Sequence, residues 1–231
     1  MAVVKYLYLK EIKISGWLLL VTLNAFLSSA ACGDPANPIE NSLTELGGLL
    51  AKLDNYEGQF TQLIYGPRGQ VLQEVEGNFL VKRPNLFKWV VQDPFPQVVV
   101  TQGSQLLIYD PDLEQATVRS ISSVAVDTPA SLLTGNLEQL EAGFKVSRVS
   151  DLTDVRQREF RLIPLAQDSL FEELLMKFDS GQLSRLEIVD HMQQITVIQF
   201  RNVETNDNLT TADFSFELPP GTDVIGDAIS E

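Results

Sequence analysis

The chain has 231 residues, of which 44% are hydrophobic and 21% charged, with 14 Gly, 11 Pro and one Cys. That is a globular composition, and it excludes an unfolded chain, a collagen-like repeat and a disulfide scaffold. The formal net charge is −14, which argues against nucleic acid or an anionic membrane surface as the partner, since no basic patch is available to neutralise phosphates.

The first 31 residues read separately from the rest. Lys5, Lys10 and Lys13 precede a short apolar run from Gly16 to Leu27, and Ser28, Ser29, Ala30 and Ala31 follow as small residues. This is the pattern of a signal peptide cleaved near Ala31, because the apolar run is shorter than the ~20 residues that span a bilayer. Its removal leaves 14 basic and 30 acidic side chains, a net of −16. Residues 32–231 read as one domain, within the range of about 200–250 residues over which β-rich folds often form a single core. Cys32 has two readings. Acylation calls for a Leu-small-small triplet directly before the Cys, whereas Ser29 stands three before it and Leu27 two further back. An incidental Cys beside an ordinary cleavage site is the better match. A single Cys allows no internal disulfide.

Asn37-Pro38-Ile39-Glu40 is a helix start, with Asn37 as N-cap and Pro38 in the first turn. Ile39, Leu43, Leu46, Leu50 and Leu53 then form a helical stripe ending near Asn55. From Tyr56 the apolar period changes to two. Phe60–Tyr65 and Val71–Lys82 are strands joined through Gly66-Pro67-Arg68-Gly69, with Val71, Val75, Phe79 and Val81 on one face and Glu74, Glu76 and Asn78 on the other. Further strands are expected over 86–91, 97–101, 106–109 and 116–121. After two short helices, at Ser131-Leu132-Leu133 and Leu137–Glu141, strands resume over 144–149, 158–164, 170–179, 182–189, 194–203 and 213–218. About eleven strands with short turns make a mainly β fold, an antiparallel meander that curls toward an open barrel. A lid of about three helices covers its concave side, over either a filled interior or a lined cavity.

Catalytic constellations are missing from the sequence. The single His, His191, lies in the polar stretch Asp190–Gln194 and reads as an exposed turn residue, with no nucleophile and orienter beside it. No nucleophile elbow, Walker-type loop or dinucleotide fingerprint occurs. Asp110-x-Asp112-x-Glu114 imitates the opening of a calcium loop, but Gln115 and Ile121 stand where Gly and Glu are required. Glu74 and Glu76 read as the wet side of a strand.

The most specific block is Val81-Lys82-Arg83-Pro84-Asn85-Leu86-Phe87-Lys88-Trp89. It follows Tyr56-Glu57-Gly58-Gln59-Phe60-Thr61-Gln62 and Gln73-Glu74-Val75-Glu76-Gly77-Asn78-Phe79, and precedes Tyr109-Asp110-Pro111 with Glu114-Gln115-Ala116. In this order the elements resemble the outer-membrane lipoprotein carrier family, LolA. Asp127-Thr128-Pro129 with Leu132-Leu133 resembles the family's lid-helix segment, and Phe214-x-Phe216 with Pro219-Pro220-Gly221 its closing strand and tail. Leu107-Ile108 departs from the large aromatic that many relatives carry before the Tyr-Asp-Pro stretch.

The resemblance implies a strongly curved antiparallel sheet with helices as a lid over an apolar cavity. It implies a monomeric periplasmic chaperone that works without catalytic groups, metal or cofactor. Such a chaperone takes triacylated lipoproteins from an inner-membrane lipoprotein-releasing ABC transporter and hands them to an outer-membrane lipoprotein receptor. Each buried methylene is worth ~0.8 kcal/mol, so a long acyl chain left in water costs on the order of 10 kcal/mol, which a movable apolar cover removes. Carried over residue by residue, Arg83 would hold the empty lid shut by donating to lid carbonyls. Phe60, Phe79, Phe87 and Trp89 would line the cavity, and Leu43, Leu46, Leu50, Leu132 and Leu133 would form the lid's apolar face. Two alternatives stand beside this reading: a membrane-anchored acceptor resembling LolB, acylated at Cys32, and a hydrolase of lipids or envelope polymers.

Overall fold

The structure is a computed structural model that describes residues 38–102, 104–120, 133, 137–149, 154 and 156–226. The expected signal peptide, Cys32, the expected Asn37 cap, Ile121, Ser131 and Leu132 lie outside the described residues. The chain divides into two units, Met1–Pro35 and Ala36–Glu231, and all described residues belong to the second.

Helix α1 (Pro38–Leu50) is followed by six strands: β1 (Asn55–Tyr65), β2 (Val71–Lys82), β3 (Leu86–Asp93), β4 (Gln97–Gln102), β5 (Gln105–Asp110) and β6 (Gln115–Ser120). Helix α2 (Leu137–Gly143) leads into β7 (Phe144–Arg148), β8 (Gln157–Pro164), β9 (Phe171–Asp179), β10 (Gln182–Asp190) and β11 (Ile195–Thr205). A 3₁₀ turn (Thr211–Phe214) and β12 (Asp223–Gly226) close the chain. The twelve strands form one sheet in the order β12-β6-β5-β4-β3-β2-β1-β11-β10-β9-β8-β7, with β12 and β7 at its two ends, so the sheet is open. All pairings are antiparallel except that β12 runs parallel to β6.

The turns follow from their residues. Ser180 and Gly181 both have positive φ, 52° and 86°, between paired Asp179 and Gln182, the two-residue geometry that matches strand twist. Gly66 and Gly69 close the β1–β2 hairpin through Gly66 N–H to the Gln70 carbonyl, 2.8 Å, and Gly69 N–H to the Gly66 carbonyl, 2.8 Å.

Alternation along the strands sorts the sheet into two covered faces. On the helical face, Leu46 and Leu50 of α1, Leu133 and Leu140 join Phe60, Val75, Phe79, Val81, Phe87, Trp89, Phe160, Met176, Phe178 and Phe200 in one core. On the tail face, Val100, Leu107, Tyr109, Ala116 and Val118 pack beneath Leu209 and Phe214 in a second core. The tail crosses that face under three lysine hydrogen bonds. Lys82 Nζ donates to the Leu209 carbonyl at 2.6 Å, and Lys88 Nζ to the carbonyls of Asp213 at 2.9 Å and Ser215 at 3.1 Å.

Two expectations need correction. The described residues hold two α-helices and not a lid of about three; of the expected 131–133 helix only Leu133 is described, and it is helical. The strand expected over 213–218 is a 3₁₀ turn followed by an unpaired stretch. The Asp213 carboxylate accepts from both the backbone N–H and the hydroxyl of Thr210, at 2.7 and 2.9 Å, which winds the chain there. The alternation of Phe214, Phe216 and Leu218 is real, but it packs on the sheet instead of pairing in it. The twelfth strand is supplied further on, at Asp223–Gly226.

Candidate functional site

On the helical face, β1, β2 and β3 bring their aromatics together by register. Phe60 stands opposite Gly77, and Gly58 opposite Phe79. A Cβ at Gly77 would strike the Val90 carbonyl and come within 2.7 Å of the Phe60 ring, so the glycine leaves the ring its place. Phe60 stacks on Trp89 with centroids 3.6 Å apart, and Phe87 lies nearly parallel to Trp89 with centroids 6.0 Å apart. Phe79 and Trp89 both meet Phe200 of β11 edge-on, at 5.2 and 6.3 Å. Tyr56 completes the group, edge-on to Phe79 at 5.7 Å. Edge-to-face and offset pairs of this kind add to the burial of large apolar rings.

The helices contribute leucines to the same core as these rings. Leu46, Leu50, Leu133 and Leu140 are buried in the same core, and Leu43 is half-buried at its margin. The residues expected to line a cavity and those expected to cover it are therefore in one packed layer, so an apolar guest needs the layers to part. Leu132 lies outside the described residues. Over β4 and β5 the same face carries half-buried Val99, Leu106 and Ile108, the flank of the site farthest from β7.

Polar contacts sit at the margins of this layer. Glu45 of α1 pairs with Arg148 at 3.3 Å and Arg158 at 3.1 Å. Helix α2 passes into β7 without a loop, and its Gly143 carbonyl accepts from Leu165 N–H at 2.9 Å. On the β1 side, the buried Tyr56 hydroxyl donates to the carbonyl of Leu133 at 3.4 Å. Arg83 is half-buried in the turn after β2, and its backbone N–H donates to the Asp54 carbonyl at 2.8 Å. Desolvation lowers the Arg83 pKa against the opposing influence of Tyr56 and Asp54, and burial raises the Tyr56 phenol well above its ordinary range. Arg83 thus sits beside the tyrosine that touches Leu133.

The other titratable residues weighed from the sequence lie away from this site. His191 is an exposed turn residue; its Nε2 donates to the Ser169 carbonyl at 2.8 Å and its Nδ1 lies 3.4 Å from a Glu172 carboxylate oxygen. Asp110 accepts from Leu113 N–H at 3.3 Å and shapes the β5–β6 turn. Glu74 and Glu76 are exposed on the wet side of β2. A shallow depression lined by Glu159, Leu175, Lys177, Arg185 and Glu187 has charged walls and carries the 2.6 Å Arg185–Glu187 ion pair.

Reading from the sequence misses half of the apolar layer. Phe160, Met176, Phe178 and Phe200 on β8, β9 and β11 meet the same core as Phe60 and Trp89. Their signal is the buried alternation of Leu174, Met176 and Phe178. Tyr56 stands within the family motif, where the sequence assigns it no role.

A family model described as outer membrane lipoprotein carrier protein LolA matches residues 51–217. The chain is 37% identical over 204 residues to an outer-membrane lipoprotein carrier protein of Hahella chejuensis, covering 87% of this chain and 97% of the relative. It is 36% identical over 208 residues to the protein of that name from Azotobacter vinelandii, covering 90% of this chain and 97% of the relative. Among solved structures, an uncharacterized conserved protein from Thermus thermophilus shares the fold with a TM-score of 0.52 at 12% identity, covering 80% of this chain and 98% of that one. The sheet order, the aromatic layer beneath the helices and these matches lead to one conclusion: the chain belongs to the outer membrane lipoprotein carrier protein LolA family.

Proposed function

We propose that the chain is a periplasmic lipoprotein carrier and not an enzyme, one that shields the acyl chains of a triacylated lipoprotein between its helices and the helical face of its sheet. In this reading it receives cargo from an inner-membrane ABC transporter and delivers it to an outer-membrane receptor. The signal peptide over Met1–Ala31 sends it to that compartment, and the domain 32–231 does the carrying. The observation that supports this best is the single buried core that joins Phe60, Phe79, Phe87, Trp89 and Phe200 of the sheet to Leu46 and Leu50 of α1, Leu133, and Leu140 of α2. Such contacts are apolar and non-directional, so hydrocarbon can replace them one for one. Leu43 and Leu132 extend the cover in this proposal, and Arg83 acts as a latch that favours the empty, closed state. The net charge of −16 left after removal of residues 1–31 keeps the carrier off anionic membranes between its two docking events.

The test adds the purified protein to spheroplasts whose inner membrane holds labelled lipoproteins. Release of lipoprotein into the supernatant, bound to the chain, is the expected result. Arg83→Leu still binds but transfers poorly to outer membranes, because the closed state no longer competes with cargo. Absence of release beside a working control carrier overturns the proposal, and the mass of the mature N-terminus then tests the acylated acceptor.

A further inference from the structure

We infer that the Tyr56 hydroxyl is a positioning group that ties the helical layer to the sheet and sets how readily that layer lifts for cargo; this rests on the carrier reading. The two sides of the layer are held differently. On the β7 side, α2 continues into the strand and Glu45 reaches Arg148 and Arg158, so chain connectivity and ion pairs hold it. On the β1 side, Tyr56 lies four strands from β8 in the sheet order and donates across 77 residues of sequence to Leu133. Tyr56 is 1% and Leu133 2% exposed, so donor and acceptor are both withdrawn from water. The layer is hinged at β7 and tied at β1.

The chemistry gives the tie a sign. Parting the layers for an acyl chain breaks the bond between the hydroxyl and the Leu133 carbonyl, and hydrocarbon offers no acceptor in exchange. The guanidinium of Arg83 beside Tyr56 is a donor and cannot accept from it. Opening therefore costs a buried hydrogen bond, and loading must overcome it. Without the hydroxyl, the closed state leaves the Leu133 carbonyl short of that donor, while the open state gives the same carbonyl access to water. Removing one oxygen shifts the balance toward opening, while the ring keeps its edge contact with Phe79.

Tyr56→Phe tests this, with Tyr109→Phe as a control that deletes a hydroxyl from the tail-face core. Dansyl-undecanoic acid fluorescence reports apolar binding, and hydrogen exchange reports the amides of Leu137–Gly143. The expected result is about five- to tenfold tighter probe binding by Tyr56→Phe, the affinity equivalent of one net hydrogen bond. Faster exchange in α2 accompanies it, and Tyr109→Phe changes neither reading. Unchanged or weaker binding by Tyr56→Phe overturns the inference and leaves the carrier reading standing, as does an equal gain in Tyr109→Phe. Failure of the wild type to bind the probe, with α2 exchange still faster in Tyr56→Phe, overturns the carrier reading and keeps the tie.

Discussion

The helical face and the tail face of the same sheet are both apolar and both buried, yet their covers differ in kind. The tail is one connected strap. It is fastened by lysine hydrogen bonds to three of its carbonyls, by Phe214 and Phe216 seated on the sheet, and by a strand at its end paired to β6. The helical cover consists of separate pieces that reach the sheet through Leu46, Leu50, Leu133 and Leu140, with polar contacts at its margins. Directional bonds to fixed carbonyls resist displacement, whereas leucines against rings give way to any hydrocarbon of similar area. In the proposed function, one face stays shut and the other exchanges its contents.

Cutting one large ring from each core separates the two faces most strongly. Phe60→Ala and Phe214→Ala both remove a side chain that is 1% exposed. Each is expected to lower stability by about 3–5 kcal/mol in urea unfolding. They separate in binding. Affinity for a fluorescent fatty acid changes in the folded Phe60→Ala protein and stays at the wild-type value in Phe214→Ala. Equal effects on binding would mean that the two faces are not functionally distinct.

A smaller effect sharpens the account of the strap. Lys88→Met keeps the aliphatic stem but loses the bonds to Asp213 and Ser215. The expected cost is about 1 kcal/mol, because the contacts are exposed. Limited proteolysis over 211–218 quickens, while α2 exchanges as before. The smallest expected effect concerns pH. The Ser169 carbonyl, and secondarily Glu172, raise the His191 pKa above its ordinary 6.5. A raised pKa in the folded state means that the protonated ring is stabilising below pH 6.5, and that this contribution is lost as pH rises through the folded value. NMR titration of His191 checks the direction, and His191→Ala abolishes the dependence without altering fatty-acid binding.

Much of this organisation is legible in the residues, and the failures have physical causes. Val71–Lys82 is readable to the residue because buried Val75, Gly77, Phe79 and Val81 alternate with polar neighbours between clear turn signals. Phe214, Phe216 and Leu218 carry the same alternation, and period two cannot distinguish packing on a sheet from pairing within one. Asp223–Gly226 escapes notice because all four residues are exposed and their partner strand ends more than a hundred positions earlier. At the site, the motif around Phe87 and Trp89 points to the aromatic layer. The bond of Tyr56 is invisible because its acceptor is a main-chain carbonyl, which every residue possesses.

The pairing of β12 with β6 has a further consequence. An open sheet has two borders whose unpaired amides and carbonyls can template strands from other chains, and amyloid-like association begins at such borders. Here one border is lined by a short parallel strand cut from the chain's own tail, and the other is the five-residue β7, studded with exposed Lys145 and Arg148. In the proposed carrier, parting the helical layer exposes apolar surface, which makes self-association a hazard. The backbone rims guard against it independently of what the interior holds.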